Sequence, residues 1–318
     1  MRKVAIDIGY NSTKFFSNGG AIKGQFPSVT GTPDKARYKF AGSDPKEIVI
    51  DGTTWFYGDD AVTLSRVVQR REDRNWIITP EYYRLFLSAL KELGVSGDAI
   101  VVTGLPIAYY DDKEKLAQLV HREHKYDDIV VNVVNTRVIP QPFGAVLNMA
   151  LDFDGNISDA SIATGTIGVI DCGGKTTNML VVSKMSEIAR KTSSVNIGGW
   201  DTVRNVRIML MDKFPELDVR DHEIASIIIN KSVKVFGKEY DLSSEIDTII
   251  APYAYQIADT ATQLWGNGAE LDAIIIVGGG AYMYGNILQQ AFVHAHCSND
   301  PVYENVMGYY KLAQRIKE

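Results

Sequence analysis

An eight-residue pattern occurs twice in this 318-residue chain and limits the possible folds more than any other feature. It reads Asp7-Ile8-Gly9-Tyr10-Asn11-Ser12-Thr13-Lys14 near the start and Asp171-Cys172-Gly173-Gly174-Lys175-Thr176-Thr177-Asn178 past the middle. Each copy follows an apolar, strand-like run, so the chain reads as two related halves, each offering a carboxylate and a small-residue turn to one shared ligand. The backbone NH groups of such a turn reach an anion only where side chains do not block it, a condition that Gly9, Gly173 and Gly174 meet. Ser12, Thr13, Thr176 and Thr177 add hydroxyl donors, Lys14 adds a cation, and Tyr10, Asn11 and Lys175 complete the two turns. Asp7 and Asp171 would repel a phosphate directly and are better used to hold waters on Mg²⁺. Two such hairpins facing each other would grip a polyphosphate and its metal from both sides. The other reading is a pair of ordinary glycine hairpins; recurrence of Asp, Gly and the hydroxyl residues at equal offsets weighs against it.

Around these motifs the chain alternates strand and helix signals, as in a sheet built from crossover units. Residues 2–7, 13–16 and 21–26 read as a three-stranded meander turned by Asn18-Gly19-Gly20. Residues 27–78 read as an irregular insertion with short strand-like pieces at 48–50 and 54–57. Thr79-Pro80-Glu81 starts a helix that Gly94 ends. Then come a strand at 99–103, a helix at 112–123, a strand at 129–139 and a helix at 143–151. The polar stretch at 154–166 marks a boundary, after which the order repeats with strands at 168–171, 177–182, 189–195 and 273–277. A helical period runs on from Asp241-Leu242-Ser243, where Pro252 is expected to kink or divide it. Another helix follows Gly278, and a last one covers about residues 303–316.

Three further segments bear on the ligand. Ile274-Ile275-Ile276-Val277 leads into Gly278-Gly279-Gly280-Ala281-Tyr282, a turn that exposes backbone NH at a helix start and lets a flat or anionic group lie close. Gly198-Gly199-Trp200-Asp201 opens a helix and either lines the same cleft or simply packs there. Gln141, between Pro140 and Pro142, either holds an attacking water in line with a terminal phosphate or makes a local helix cap.

Composition narrows the class. Hydrophobic residues at 45% and charged residues at 23% are ordinary globular usage, and the length suits about two domains. A net charge of -6 weighs against a broad nucleic-acid-binding face. The basic stretch 66–74 also holds Glu72 and Asp73 and reads as a solvated segment. Met1-Arg2-Lys3 runs straight into a strand, and no apolar run is long enough to span a bilayer, so no membrane association and a cytoplasmic location are expected. Two cysteines, Cys172 and Cys297, indicate neither a disulfide framework nor a thiolate metal site. Cys172 reads as a small buried filler, and the five histidines lack ligand spacing.

Taken together, the two phosphate hairpins, the loop with Gln141 and the glycine-rich turn resemble the actin, Hsp70 and sugar-kinase superfamily over nearly the whole chain. In detail the chain is similar to actin-like ATPases of the ParM (StbA) plasmid-segregation type, through Tyr57-Gly58-Asp59-Asp60-Ala61, Val102-Thr103-Gly104-Leu105-Pro106 and Glu304-Asn305-Val306-Met307-Gly308-Tyr309-Tyr310. The resemblance implies an α/β, actin-like (ribonuclease H-like) duplicated two-domain fold with an interdomain nucleotide cleft. Domain I would cover 1–155, carry the 27–78 insertion and receive the C-terminal helix (303–318) packing back on it; domain II would cover 156–302. Asp7, Gly9 and Lys14 would form the first phosphate site, and Asp171, Gly173, Gly174, Thr176 and Thr177 the second. Gln141 and Asp171 would be catalytic, Asp7 and Asp171 would hold Mg²⁺ through water, and Gly278, Gly279, Gly280 and Tyr282 would border the adenosine of ATP or ADP, with Gly198 and Gly199 beside them. Tyr10 stands where many members have a small residue, and Asn178 where many have Asp or His, so slow hydrolysis is expected. The implied function is an ATPase that polymerises with itself, with a DNA-binding adaptor at a centromere-like site as partner and no direct contact with nucleic acid. The alternatives are a small-molecule kinase of the same superfamily, which needs a carboxylate base where Gln141 stands, or a non-polymerising scaffold.

Overall fold

The structure is a computed structural model and describes residues 1–34, 44–69 and 74–317. Strand β1 (Arg2–Ile8) carries Val4, Ala5 and Ile6 fully buried in succession, the pattern of a strand covered on both faces. β2 (Ser12–Ser17) pairs antiparallel with it and β3 (Ile22–Pro27) with β2, which is the expected meander. Asn18 and Gly19 make the second bend at φ 58° and 62°.

The insertion is more regular than its sequence suggests. β4 (Thr30–Pro33), β5 (Glu47–Ile50), β6 (Thr53–Tyr57) and β7 (Ser65–Gln69) form an antiparallel sheet in the order β5-β6-β4-β7, with helix α1 (Gly58–Leu64) between its last two strands. Strands of four or five residues, broken by glycine and proline, are too short to show a two-residue period. Of the basic stretch, residues 66–69 lie in β7, and 70–73 are outside the described residues.

Helix α2 (Pro80–Glu92) starts where the sequence indicates, with the Thr79 hydroxyl accepting from the Tyr82 backbone NH at 3.3 Å. Leu85, Phe86, Leu87 and Leu90 are buried along it, each such side chain stabilising the fold by about 1.5–3 kcal/mol. Arg84 joins α2 to the small sheet: its guanidinium lies 3.8 Å from the centre of the Trp55 ring, and Nε donates to Thr30 Oγ1 at 3.2 Å.

β8 (Gly97–Leu105), α3 (Lys113–Val120), β9 (Glu123–Tyr126), β10 (Ile129–Pro140) and α4 (Phe143–Ala150) follow. The helix expected over 112–123 stops at Val120, because His124 and Tyr126 alternate inward as edge strand β9 on β10. The sheet order is β3-β2-β1-β8-β10-β9, with β8 parallel to both neighbours.

After α5 (Ala160–Thr164) the pattern recurs. β11 (Thr166–Cys172) and β12 (Thr177–Ser183) form a hairpin, β13 (Ser186–Glu187) and β14 (Ser193–Val195) both pair with β12, and residues 189–191 form a 3-10 turn instead of the start of a longer strand. Then come α6 (Gly199–Lys213), α7 (Asp221–Asn230), the hairpin β15 (Ser232–Val235) and β16 (Lys238–Asp241), α8 (Ser243–Trp265), β17 (Ala273–Val277), α9 (Ala281–Ala291) and β18 (Ala295–Cys297). The second large sheet runs β13-β12-β11-β17-β18. Helix α8 is not divided at Pro252. Thr248 and Pro252 lie on its exposed side, so the carbonyl left without a donor is open to water, while Ile246, Ile250, Ala254 and Ile257 bury the opposite face.

The chain ends in α10 (Glu304–Arg315). Packing divides it into a first unit of residues 1–159 with 305–318 and a second of 160–304. In the first unit Gly308 of α10 lies so close to α4 that a Cβ there would overlap the Gly144 carbonyl. Among the described residues no helix is long and apolar enough to cross a membrane.

Candidate functional site

The two copies of the repeated motif adopt the same hairpin. In the first, Asp7 faces Lys14 and Ile8 faces Thr13 across β1 and β2, and Gly9 NH closes the turn on Ser12 O at 3.1 Å. In the second, Asp171 faces Asn178 and Cys172 faces Thr177 across β11 and β12, and Gly173 NH closes on Thr176 O at 2.9 Å. Duplication is therefore visible down to single hydrogen bonds. Lys14 and Asn178 occupy equivalent places, a cation in one turn and a neutral amide in the other.

In the first unit Asp7 is 4% exposed. Lys14 Nζ lies 3.6 Å from one of its oxygens, and Gln141 Nε2 donates to the other at 2.9 Å. Because a carboxylate can only accept, this bond fixes the amide orientation of Gln141 and leaves Oε1 as the atom able to accept a further hydrogen bond. Gln141 itself comes from the end of β10, where its NH donates to Leu105 O at 2.8 Å and its carbonyl accepts from Tyr309 OH at 3.3 Å. Gly104 is required beside it, since a Cβ there would strike the Tyr309 hydroxyl. Burial, and the Asp7 carboxylate after it, push the Tyr82 phenol well above its usual range.

Two expectations for this turn need correction. Thr13 is fully buried, and its hydroxyl is within 3.0 Å of Ser28 Oγ, which donates in turn to Gly9 O at 2.6 Å. It holds the turn together instead of offering a donor outward. The Tyr10 ring is also turned inward, stacked on Trp76 at 5.1 Å, so only its backbone is available to a ligand. Asn11 is exposed, and Ser12 and Lys14 are half-buried.

In the second unit three glycine segments converge on the end of β11. Gly199 NH donates to Gly173 O at 3.0 Å, Trp200 NH to Gly174 O at 2.9 Å and Gly280 NH to Cys172 O at 2.8 Å. Gly278 has φ 84° and lies so close that a Cβ would meet Asp171 Oδ1 at 2.6 Å. Asp171 is 6% exposed, Lys175 half-buried, Gly279 faces open space and Tyr282 is 54% exposed on the first turn of α9. Thr177 again differs from expectation: it is fully buried and its hydroxyl donates to Ile197 O at 2.8 Å. Thr176 is buried as well. Burial, reinforced by Asp171, raises the Cys172 thiol far above the ordinary range, which suits an inert filler.

Several positioning residues carry no local sequence signal. Ser28 holds the first turn. Tyr284 OH donates to Gly198 O at 2.9 Å and lies 2.9 Å from Thr202 Oγ1, fixing the start of α6 against α9. Pro301 O accepts from Gly278 NH at 2.8 Å. Each acts on a segment distant in sequence, so only the folded chain shows the pairing. The α6 start was better marked: Asp201 Oδ2 accepts from Gly198 NH at 3.1 Å, the capping expected of an acid in the first turn.

Comparison with known proteins agrees with this duplicated architecture. Residues 5–144 match the family model for the actin-like proteins' N-terminal domain, and residues 169–290 match that for the archaeal actin homologue MreB-like C-terminal domain. The chain has the two-domain α/β fold of the actin-like proteins. Between them the two models span most of the chain, and it belongs to the actin-like proteins. Among solved structures, Ta0583, an archaeal actin homologue in complex with ADP, superposes with a TM-score of 0.80 at 21% identity, covering 99% of this chain and 100% of that one. A 15-stranded ParM filament from Clostridium botulinum gives 0.79 at 21% identity, with 99% of both chains covered. The Alp12 filament structure gives 0.69 at 13% identity, with 98% of both covered. No curated protein sequence gives a significant match.

Proposed function

We propose that this protein is a cytoplasmic, actin-like ATPase that binds ATP with Mg²⁺, assembles into filaments and hydrolyses its nucleotide slowly, to move plasmid or other DNA through a DNA-binding adaptor. The observation that carries the reading is the bond from Gln141 to Asp7: a buried carboxylate at a strand end, tied to an amide whose oxygen is left to orient a water. The backbone NH groups around Gly9 and Gly173, with Lys14, are the phosphate donors, and Gly278, Gly279, Gly280 and Tyr282 border the adenosine. Asp7 and Asp171 hold hydrated Mg²⁺, which when bound neutralises phosphate charge. The ADP bound by Ta0583 and the filament built by Clostridium botulinum ParM support this reading through the shared fold. Assembly follows if ATP binds the polymerising conformation more tightly than the free one. Asn178 offers no base beside Asp171, in keeping with slow turnover.

Light scattering with electron microscopy after addition of ATP and Mg²⁺ tests this. Wild-type protein should form filaments and release phosphate slowly, and Asp171→Ala should reduce hydrolysis about 100-fold or more. Absence of polymers over a wide concentration range would sink the filament reading.

A further inference from the structure

The two-residue loop between β15 and β16 is Phe236-Gly237, and both residues have positive φ, 46° and 80°. This backbone is the hairpin turn for which Asn-Gly is favoured and a bulky side chain is disfavoured. The Phe236 ring is also 90% exposed, so the second unit gains no burial from it. A residue that strains its own turn and leaves an aromatic ring in water is explained by a contact outside the chain.

The same unit carries an open groove of about 860 Å³ between α6 and α8. Its apolar lining includes Ile208, Met209, Ile249, Pro252 and Tyr253, and Ile208 is 53% exposed. The charged residues around the groove are Asp212, Lys213 and Glu245, with Lys213 paired to Glu245, so the carboxylates are in excess. The hairpin tip has the opposite balance: exposed Lys234 and Lys238 flank Phe236, against the single carboxylate Glu239. Exposure of the ring shows that Phe236 does not fill the groove of its own chain.

We propose that the Phe236 hairpin of one copy docks into the α6–α8 groove of a second copy, with Lys234 and Lys238 facing the acidic rim. Each copy has one knob and one groove: reciprocal docking closes a pair, and docking in one direction leaves a free knob and a free groove from which the contact propagates beyond a dimer. It does not depend on the nucleotide reading, because neither surface contains a residue assigned to ATP.

Sedimentation of the full chain, without nucleotide and with ATP and Mg²⁺, tests the contact using Phe236→Asn and Ile208→Glu. Asparagine suits this turn, so Phe236→Asn should melt at or above the wild-type temperature while the concentration for half-association rises about tenfold or more. Ile208→Glu should weaken association similarly. A mixture of the two variants should recover pairs, since one supplies an intact knob and the other an intact groove. The proposal is overturned if wild-type protein stays monomeric in both conditions, if Phe236→Asn associates like wild type, or if the mixture forms no pairs. ATP-driven filaments that ignore Phe236→Asn would leave the ATPase reading standing and remove this contact. Association without nucleotide that Phe236→Asn abolishes would establish the contact whatever ATP does.

Discussion

Single residues decide what each hairpin can do. Asp7 and Asp171 occupy the same register position, but Asp7 is held by Lys14 and Gln141, whereas Asp171 lies against Gly278, where no side chain would fit. The first turn therefore brings charge and a buried amide bonded to its carboxylate, and the second brings close backbone approach. Away from the site, His124 makes a prediction of its own. Its Nε2 donates to Val120 O at 2.8 Å and its Nδ1 accepts from Tyr83 OH at 3.1 Å, so the neutral ring is fully bonded. Burial first, and then Arg122, hold its pKa below the ordinary value of about 6.5, outweighing the Val120 bond. A depressed folded pKa means that the unfolded chain binds the proton more readily; the stability tied to neutral His124 is present above about pH 6.5 and is lost as pH falls through the folded value. Urea unfolding at pH 7.5 and pH 5 should show this loss in wild type and a smaller one in His124→Asn.

At the scale of elements, helices and strands mostly begin where local chemistry says they should. Thr79 caps α2 and Asp201 caps the start of α6. The misreadings share a cause: packing overrode a local signal. Glu123 was drawn from the expected helix into β9 by pairing with β10, and β4 and β7 of the insertion, unlike the local β5–β6 hairpin, exist through partners distant in sequence. α8 crosses Pro252 because its buried face is continuous. An exposed proline in a helix interior should still be destabilising, so Pro252→Ala is expected to raise stability by about 1–3 kcal/mol, measured by denaturant unfolding. A lower midpoint would mean that the proline stabilises α8.

For the whole molecule, each unit contains its own large sheet and its own copy of the motif. If the turns bind nucleotide as proposed, ATP with Mg²⁺ must stabilise the folded chain by linkage. At a concentration 100 times the dissociation constant the gain is about 2.7 kcal/mol. Calorimetry should show a rise in melting temperature of several degrees. An unchanged melting curve at millimolar ATP would argue that the fold has lost its ligand.

The sequence by itself determined the duplication, the alternation of strands and helices, the two glycine hairpins and Gln141 as the residue to watch, because strand burial, turn chemistry and helix caps are local properties. Tertiary structure decided which hydroxyls face inward, as Thr13 and Thr177 do, that Tyr10 stacks on Trp76, and that Ser28, Tyr284, Pro301 and Tyr309 hold the turns. Those are hydrogen bonds and ring contacts between residues far apart along the chain. No local pattern encodes them, and they exist only once the sheets have formed.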